Sequence, residues 1–149
     1  MKPVSIEAIQ VHGLVVRTRN VDEMNPETSK IAPLWQQFWQ DVAPLLDEQK
    51  SQVYGVYYDY ESDASGEFNV MAGTDFLTND NASLKPVTIE KGNYLVFVGK
   101  GDMPQTVINT WADIWAYFSA DNCEYQRAYT TDFELWKGGD EVHIHIAVK

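Results

Sequence analysis

One arrangement constrains this chain more than any other: a Trp-bearing helical stretch followed by two strand-like stretches occurs twice. A helix over about Pro26 to Leu46 precedes strands at Gln52 to Tyr60 and Glu67 to Ala72. A helix over about Pro104 to Ser119 precedes strands at Arg127 to Lys137 and Glu141 to Val148. Each set is led in by a strand, Val4 to Arg19 and Tyr94 to Gly99, with Lys85 to Gly92 approaching the latter. The order β-α-β-β therefore recurs at an offset of about 75 residues, which reads as a duplicated supersecondary unit rather than a solenoid. The expectation is an α+β fold of two pseudo-symmetric units, about 1–75 and 85–149, in one domain. An antiparallel sheet, two helices and a central groove follow from it, and ligand pockets favour such grooves.

The local readings rest on periodicity. Val4 to Arg19 alternates loosely and then runs through Gly13-Leu14-Val15-Val16, which predicts one long strand bent or bulged near Gly13. Asn25-Pro26-Glu27-Thr28 has the form of a helix start, with Asn25 as N-cap and Pro26 first in the helix. Ile31, Leu34, Trp35, Phe38, Val42 and Leu45 form the inward stripe; Trp39 lies beside it, placed to close a cavity, and Pro44 kinks or closes the last turn. In the strand after this helix, Tyr54, Val56, Tyr58 and Tyr60 point one way, and Val53, Gly55, Tyr57 and Asp59 the other. Asp59, Glu61 and Asp63 fail as a calcium loop, because Ala64 and Val70 stand where glycine and the final glutamate are required. Asp75 to Leu84 is rich in Asn and Asp and reads as a flexible connector between the halves. His143 and His145 share a face of the last strand, but two imidazoles with no third ligand nearby make a weak metal site, and an exposed polar face is the better reading.

Charge excludes a class of functions. The 149 residues carry 22 acidic against 11 basic side chains, a net charge of −11. Nucleic-acid binders need basic patches to replace phosphate counterions, so no direct nucleic-acid partner is expected. The acidic field concentrates cations and repels anions. A lone Cys123, no long apolar run and no signal-like start imply a cytoplasmic protein with no membrane partner. No cofactor or metal is implied, and no Ser/His/Asp arrangement is present.

The stretch Phe133-Glu134-Leu135-Trp136 carries the chemistry. Strand alternation puts Glu134 and Trp136 on one face and Phe133 and Leu135 on the other. A carboxylate among apolar neighbours must find a partner, take up a proton or stay wet. Two readings follow: an aromatic pocket around Glu134 that accepts an incoming cation, or a surface glutamate on the wet face of an edge strand.

Four motifs resemble the GyrI-like effector-binding domains. They are Val53-Tyr54-Gly55-Val56-Tyr57-Tyr58-Asp59, Lys91-Gly92-Asn93-Tyr94, Phe133-Glu134-Leu135-Trp136 and the terminal Glu141 to Val148, together spanning nearly the whole chain. Such domains occur fused to helix-turn-helix regulators of the AraC and MerR types and also alone; the likeness is strongest to free-standing effector-binding proteins of mobile integron gene cassettes. The resemblance implies the GyrI-like (SHS2) duplication of two β-α-β-β units and a pocket for lipophilic cations. It implies that Glu134 contacts the cation, with Trp111, Trp115, Tyr58 and Trp136 in or near the site. Trp136 departs from the usual Tyr and removes a hydroxyl. The resemblance implies a small-molecule effector-binding protein rather than an enzyme, regulating transcription only through a protein partner that supplies DNA binding, or by sequestering its ligand. Two alternatives stand beside it: a hydrolase of strained electrophilic compounds with Glu134 as base, and an acidic inhibitor of a DNA-handling enzyme.

Overall fold

The computed structural model describes residues 2–79 and 83–149. Eight strands form one antiparallel sheet: β1 (Val4–Ile6), β2 (Ile9–Arg19), β3 (Val53–Tyr58), β4 (Glu67–Thr74), β5 (Lys85–Ile89), β6 (Gly92–Lys100), β7 (Thr131–Trp136) and β8 (Glu141–Val148). Among the described residues three α-helices accompany them: α1 (Asn20–Glu23), α2 (Ile31–Asp41) and α3 (Gln105–Ser119). The sheet order is β1-β6-β8-β7-β3-β4-β2-β5. Each half contributes three consecutive neighbours, β6-β8-β7 and β3-β4-β2, and the halves meet where β3 pairs with β7. The expected two-unit α+β architecture with one antiparallel sheet is the one observed.

The expected single strand over Val4 to Arg19 is two strands, and the break lies at Glu7 and Ala8, not at Gly13. β1 pairs with β6 while β2 pairs with β4 and β5, so consecutive strands stand near opposite ends of the sheet order. A sheet that joins them must curl until its ends approach. Gly13 stays in register opposite Gly73; a Cβ there would meet the Ala72 carbonyl oxygen at 2.1 Å, so this glycine permits close strand contact rather than a bend.

Curling separates two faces. One encloses a core of Val11, Val56, Met71, Ile89, Tyr94 and Phe133 with no helix residue in it. The other carries the helices: α2 packs Leu34 and Phe38 on Phe68, Val70 and Ala72, while α3 packs Ile114 on Leu95, Ile144 and Ile146. β8 is buried on both faces, which corrects the expectation of an exposed histidine face. His145 is 8% exposed and stacks on Phe133 with ring centroids 4.2 Å apart and planes within 9°. His143 remains half-buried with its Nε2 2.6 Å from Glu141 Oε2.

The first helix also starts later than Asn25-Pro26 implies. Asn25 Oδ1 accepts from the Glu27 N–H at 3.0 Å in a local turn, and α2 begins five residues further on. Pro33 explains the shift. It lies in the first turn of α2, where a missing N–H costs nothing; a helix begun at Pro26 would hold it in the interior, ring against carbonyl. Glu23 supplies the cap instead, accepting from the Lys30 N–H at 2.9 Å and the Ile31 N–H at 3.1 Å. Pro44 falls in a closing 3-10 turn, Ala43–Leu45. Of the connector Asp75 to Leu84, residues 80–82 lie outside the described residues; Thr78 bonds the Leu45 carbonyl and Leu84 is buried under α2.

Candidate functional site

The β3–β7 seam lies under the gap between α2 and α3, and its register decides the site. Gly55 of β3 stands opposite Glu134 of β7. A Cβ on Gly55 would come 2.5 Å from Glu134 Oε1 and 3.1 Å from the Trp35 ring, so glycine makes the room in which the carboxylate and an indole from α2 sit together. Glu134 is 2% exposed. The Trp111 Nε1–H of α3 donates to its Oε2 at 2.7 Å and the Tyr57 hydroxyl donates to the same oxygen at 2.9 Å. Burial pushes the Glu134 carboxyl above the usual carboxylate range, opposed by donation from Trp111 and Tyr57 and, least of the three, by the nearby Trp136 indole. The Trp136 indole N–H is itself buried and unpartnered. Burial and the adjacent Glu134 hold the Tyr57 phenol well above its ordinary range, so it remains a donor.

These groups floor a cavity of about 970 Å³ open between the helices, at the upper end of the range for small-molecule sites. Its walls are aromatic. Trp35 meets Trp136 edge-on at 6.0 Å, Trp111 meets Tyr57 at 5.0 Å, and Trp111 lies 6.4 Å from Trp115. Trp39, Met24, Ile108 and Trp115 stand exposed around the mouth.

Four of the five residues anticipated from the sequence, Glu134, Trp111, Trp115 and Trp136, line this cavity; Tyr58 does not. Tyr58 points to the opposite face of β3 and packs against the helix-free core. The correction is one of parity: Tyr57 shares its face with Gly55 and reaches Glu134. Tyr60 also leaves its expected face. Asp59, at φ 54°, interrupts the alternation and delivers Tyr60 to the helix side, where it lines the cavity. Alternation from Gly55 identifies Tyr57, but nothing local reveals that β3 pairs with β7, and without that pairing Tyr57 and Tyr58 are equivalent choices.

At the far end of the floor, Asp132 is fully buried and held by three donors. The Arg127 Nη2–H and the Tyr60 hydroxyl each reach its Oδ2 at 2.6 Å, and the Ala147 N–H reaches Oδ1 at 2.8 Å. Among the described residues no group of three His, Cys, Asp or Glu is placed to hold a metal ion. Among them, too, no helix is long and apolar enough to cross a membrane.

A curled antiparallel sheet with two helices over a seam and a buried acid in an aromatic cavity defines an effector-binding fold. The chain belongs to the integron-associated effector binding proteins (Cass2), whose family model matches residues 4–148. An integron cassette protein from the mobile metagenome of Vibrio cholerae is 44% identical and superposes with a TM-score of 0.92, covering 99% of this chain and 94% of that one. SAV2435, solved bound to tetraphenylphosphonium, shares the fold at a TM-score of 0.71 and 19% identity, over 99% of this chain and 93% of its own. A putative bacterial transcription regulation protein from Staphylococcus aureus shares it at a TM-score of 0.73 and 18% identity, over 99% and 97%. No curated protein sequence matches the chain.

Proposed function

We propose that this effector-binding protein takes lipophilic or aromatic cations, seated on the Glu134 carboxylate between tryptophan walls. The observation that carries the reading is Glu134 itself: a carboxylate 2% exposed on the floor of an aromatic cavity, with only neutral donors on it. Both of its well-formed hydrogen bonds fall on Oε2; Oε1 receives none of that quality among the described residues, and there a cation neutralises the buried charge. Each well-placed ring adds about 0.5–2 kcal/mol of cation–π attraction. Affinity thus comes from the aromatics and charge selectivity from Glu134. The tetraphenylphosphonium bound to SAV2435 supports this class of ligand. Regulation runs through a DNA-binding partner or through sequestration of the ligand, since the −11 charge disfavours direct nucleic-acid contact.

Tryptophan fluorescence tests the reading with tetraphenylphosphonium, neutral triphenylphosphine oxide and anionic tetraphenylborate. The cation should quench wild type most strongly, and Glu134→Gln should weaken it at least about tenfold, because losing one partner of a buried charge pair costs about 2–5 kcal/mol. Equal losses for cation and neutral ligand would sink the assignment. The Tyr57–Glu134 hydrogen bond favours one second reading, hydrolysis of strained electrophiles with Glu134 as base and Tyr57 as acid. Turnover of a strained-ring panel by wild type but not by Tyr57→Phe would establish it.

A further inference from the structure

The cavity has a second pole. Arg127 lines the same cavity as Glu134, with its side chain 7% exposed. Of its guanidinium nitrogens, Nη2 is engaged, with Asp132 at 2.6 Å and the Tyr60 hydroxyl at 3.4 Å. Nε is buried without a partner among the described residues. The Tyr129 ring lies 4.5 Å from the guanidinium carbon and holds the group's plane in place. A guanidinium carries five N–H donors, and buried donors require acceptors. Asp132 already balances the charge, so the unmet demand is for acceptor atoms, not for a counterion.

Strand geometry sets the spacing of the poles. Asp132, fully buried and bonded to the cavity-lining Arg127 and Tyr60, lies two residues from Glu134 on the same side of β7, a backbone spacing of about 7 Å. An acid and a donor fork thus stand about one aromatic ring system apart on one floor. The geometry points to Arg127 as a second ligand subsite that takes a hydrogen-bond acceptor, a carboxylate or carbonyl oxygen, on a cationic aromatic ligand whose charge sits on Glu134. This deepens the proposed function and rests on it. The ligand class is accordingly a bipolar aromatic: a cation at one end and an acceptor oxygen at the other. Arg127 also keeps the cationic end of any ligand away from the Asp132 end, so the two poles orient it.

Two dyes separate the subsite from the site. Rhodamine B carries a carboxylate on its pendant ring; tetraethylrosamine is the same cation without it. Fluorescence polarisation should show wild type binding rhodamine B about tenfold tighter, the gain of one charge-assisted contact, although a protein of net charge −11 repels carboxylates. Arg127→Lys keeps the ion pair with Asp132 but removes the fork, and should abolish that preference while leaving tetraethylrosamine affinity unchanged. The neutral pair Arg127→Gln with Asp132→Asn makes the same comparison should the lysine variant unfold. Equal affinity of wild type for both dyes, or a preference that survives in a folded variant, overturns the subsite alone. Failure of both dyes to bind overturns the cation reading and the subsite with it.

Discussion

Glu134 is buried at a cost to the fold, and its titration carries that cost. Its folded-state pKa is raised by burial, so the folded protein holds the proton more tightly than the unfolded chain does. Stability from this group therefore falls as pH rises past the ordinary value of 4.5 and through the raised one. Glu134→Gln should raise the unfolding midpoint at pH 7 while removing cation affinity, a gain and a loss read from a denaturant melt and a titration of one variant. In wild type, cation affinity should fall with pH already above the usual carboxylate range; a decline only near 4.5 would mean that the carboxylate is solvated. His145 has the opposite sign. Burial against Phe133 and Tyr94 pushes its imidazole down from 6.5 to about 4, so its contribution is fully present above 6.5 and is lost as pH falls toward 4. A shift of that size is worth about 3 kcal/mol. His145→Gln should flatten stability between those two pH values, and an unchanged acid limb would show that other groups set it.

At the scale of elements, α2 is placed by a carboxylate outside the helix, seven and eight residues before the N–H groups it caps. Glu23 ends α1, accepts the Thr18 hydroxyl at 2.6 Å and the Ser29 hydroxyl at 3.1 Å, and takes the N–H groups of Lys30, just before α2, and of Ile31, its first residue. It ties β2 to the helix that carries Trp35 over the cavity. Glu23→Ala should cost about 1–2 kcal/mol, the range of a lost cap with its charge, and should weaken cation binding by loosening Trp35. Asn25→Ala should cost far less, since Asn25 only closes a turn. Comparable losses in urea melts would restore Asn25 as the cap. The start at Pro104 and the apolar spacing behind it did identify the second helix, read as Pro104 to Ser119 and found as Gln105–Ser119; the sequence signals are less exact for the first. The first helix was placed too early because Asn25-Pro26 is a start signal that Pro33 overrules only once the length of the helix is known.

For the whole molecule, charge acts at two ranges. The diffuse −11 field is screened by salt over about 10 Å at 0.1 M, whereas a charge inside a cavity is screened much less. Raising salt to about 1 M should lower tetraphenylphosphonium affinity severalfold through the field, with the gap between wild type and Glu134→Gln persisting. Collapse of that gap would place the selectivity on the surface. The curled sheet contributes in a different way: because β1 crosses to β6 while β2 stays with β4 and β5, the two units share a core and present one floor to the ligand.

The chain alone determined the repeated β-α-β-β order and the faces of β7, because periodicity and alternation are local properties written in consecutive residues. Glu134 and Trp136 on one face were legible for that reason, whereas Trp111 and Trp115 were expected near the site from the family resemblance. That Glu134 is buried rather than on a wet edge was decided by the fold. Tyr57 rather than Tyr58, Trp35 beside Gly55, and Arg127 on Asp132 were decided only in three dimensions. Each depends on the pairing of β3 with β7 or on a left-handed residue such as Asp59, and neither the partner of a strand nor the point where its alternation breaks is encoded in the spacing of its own side chains.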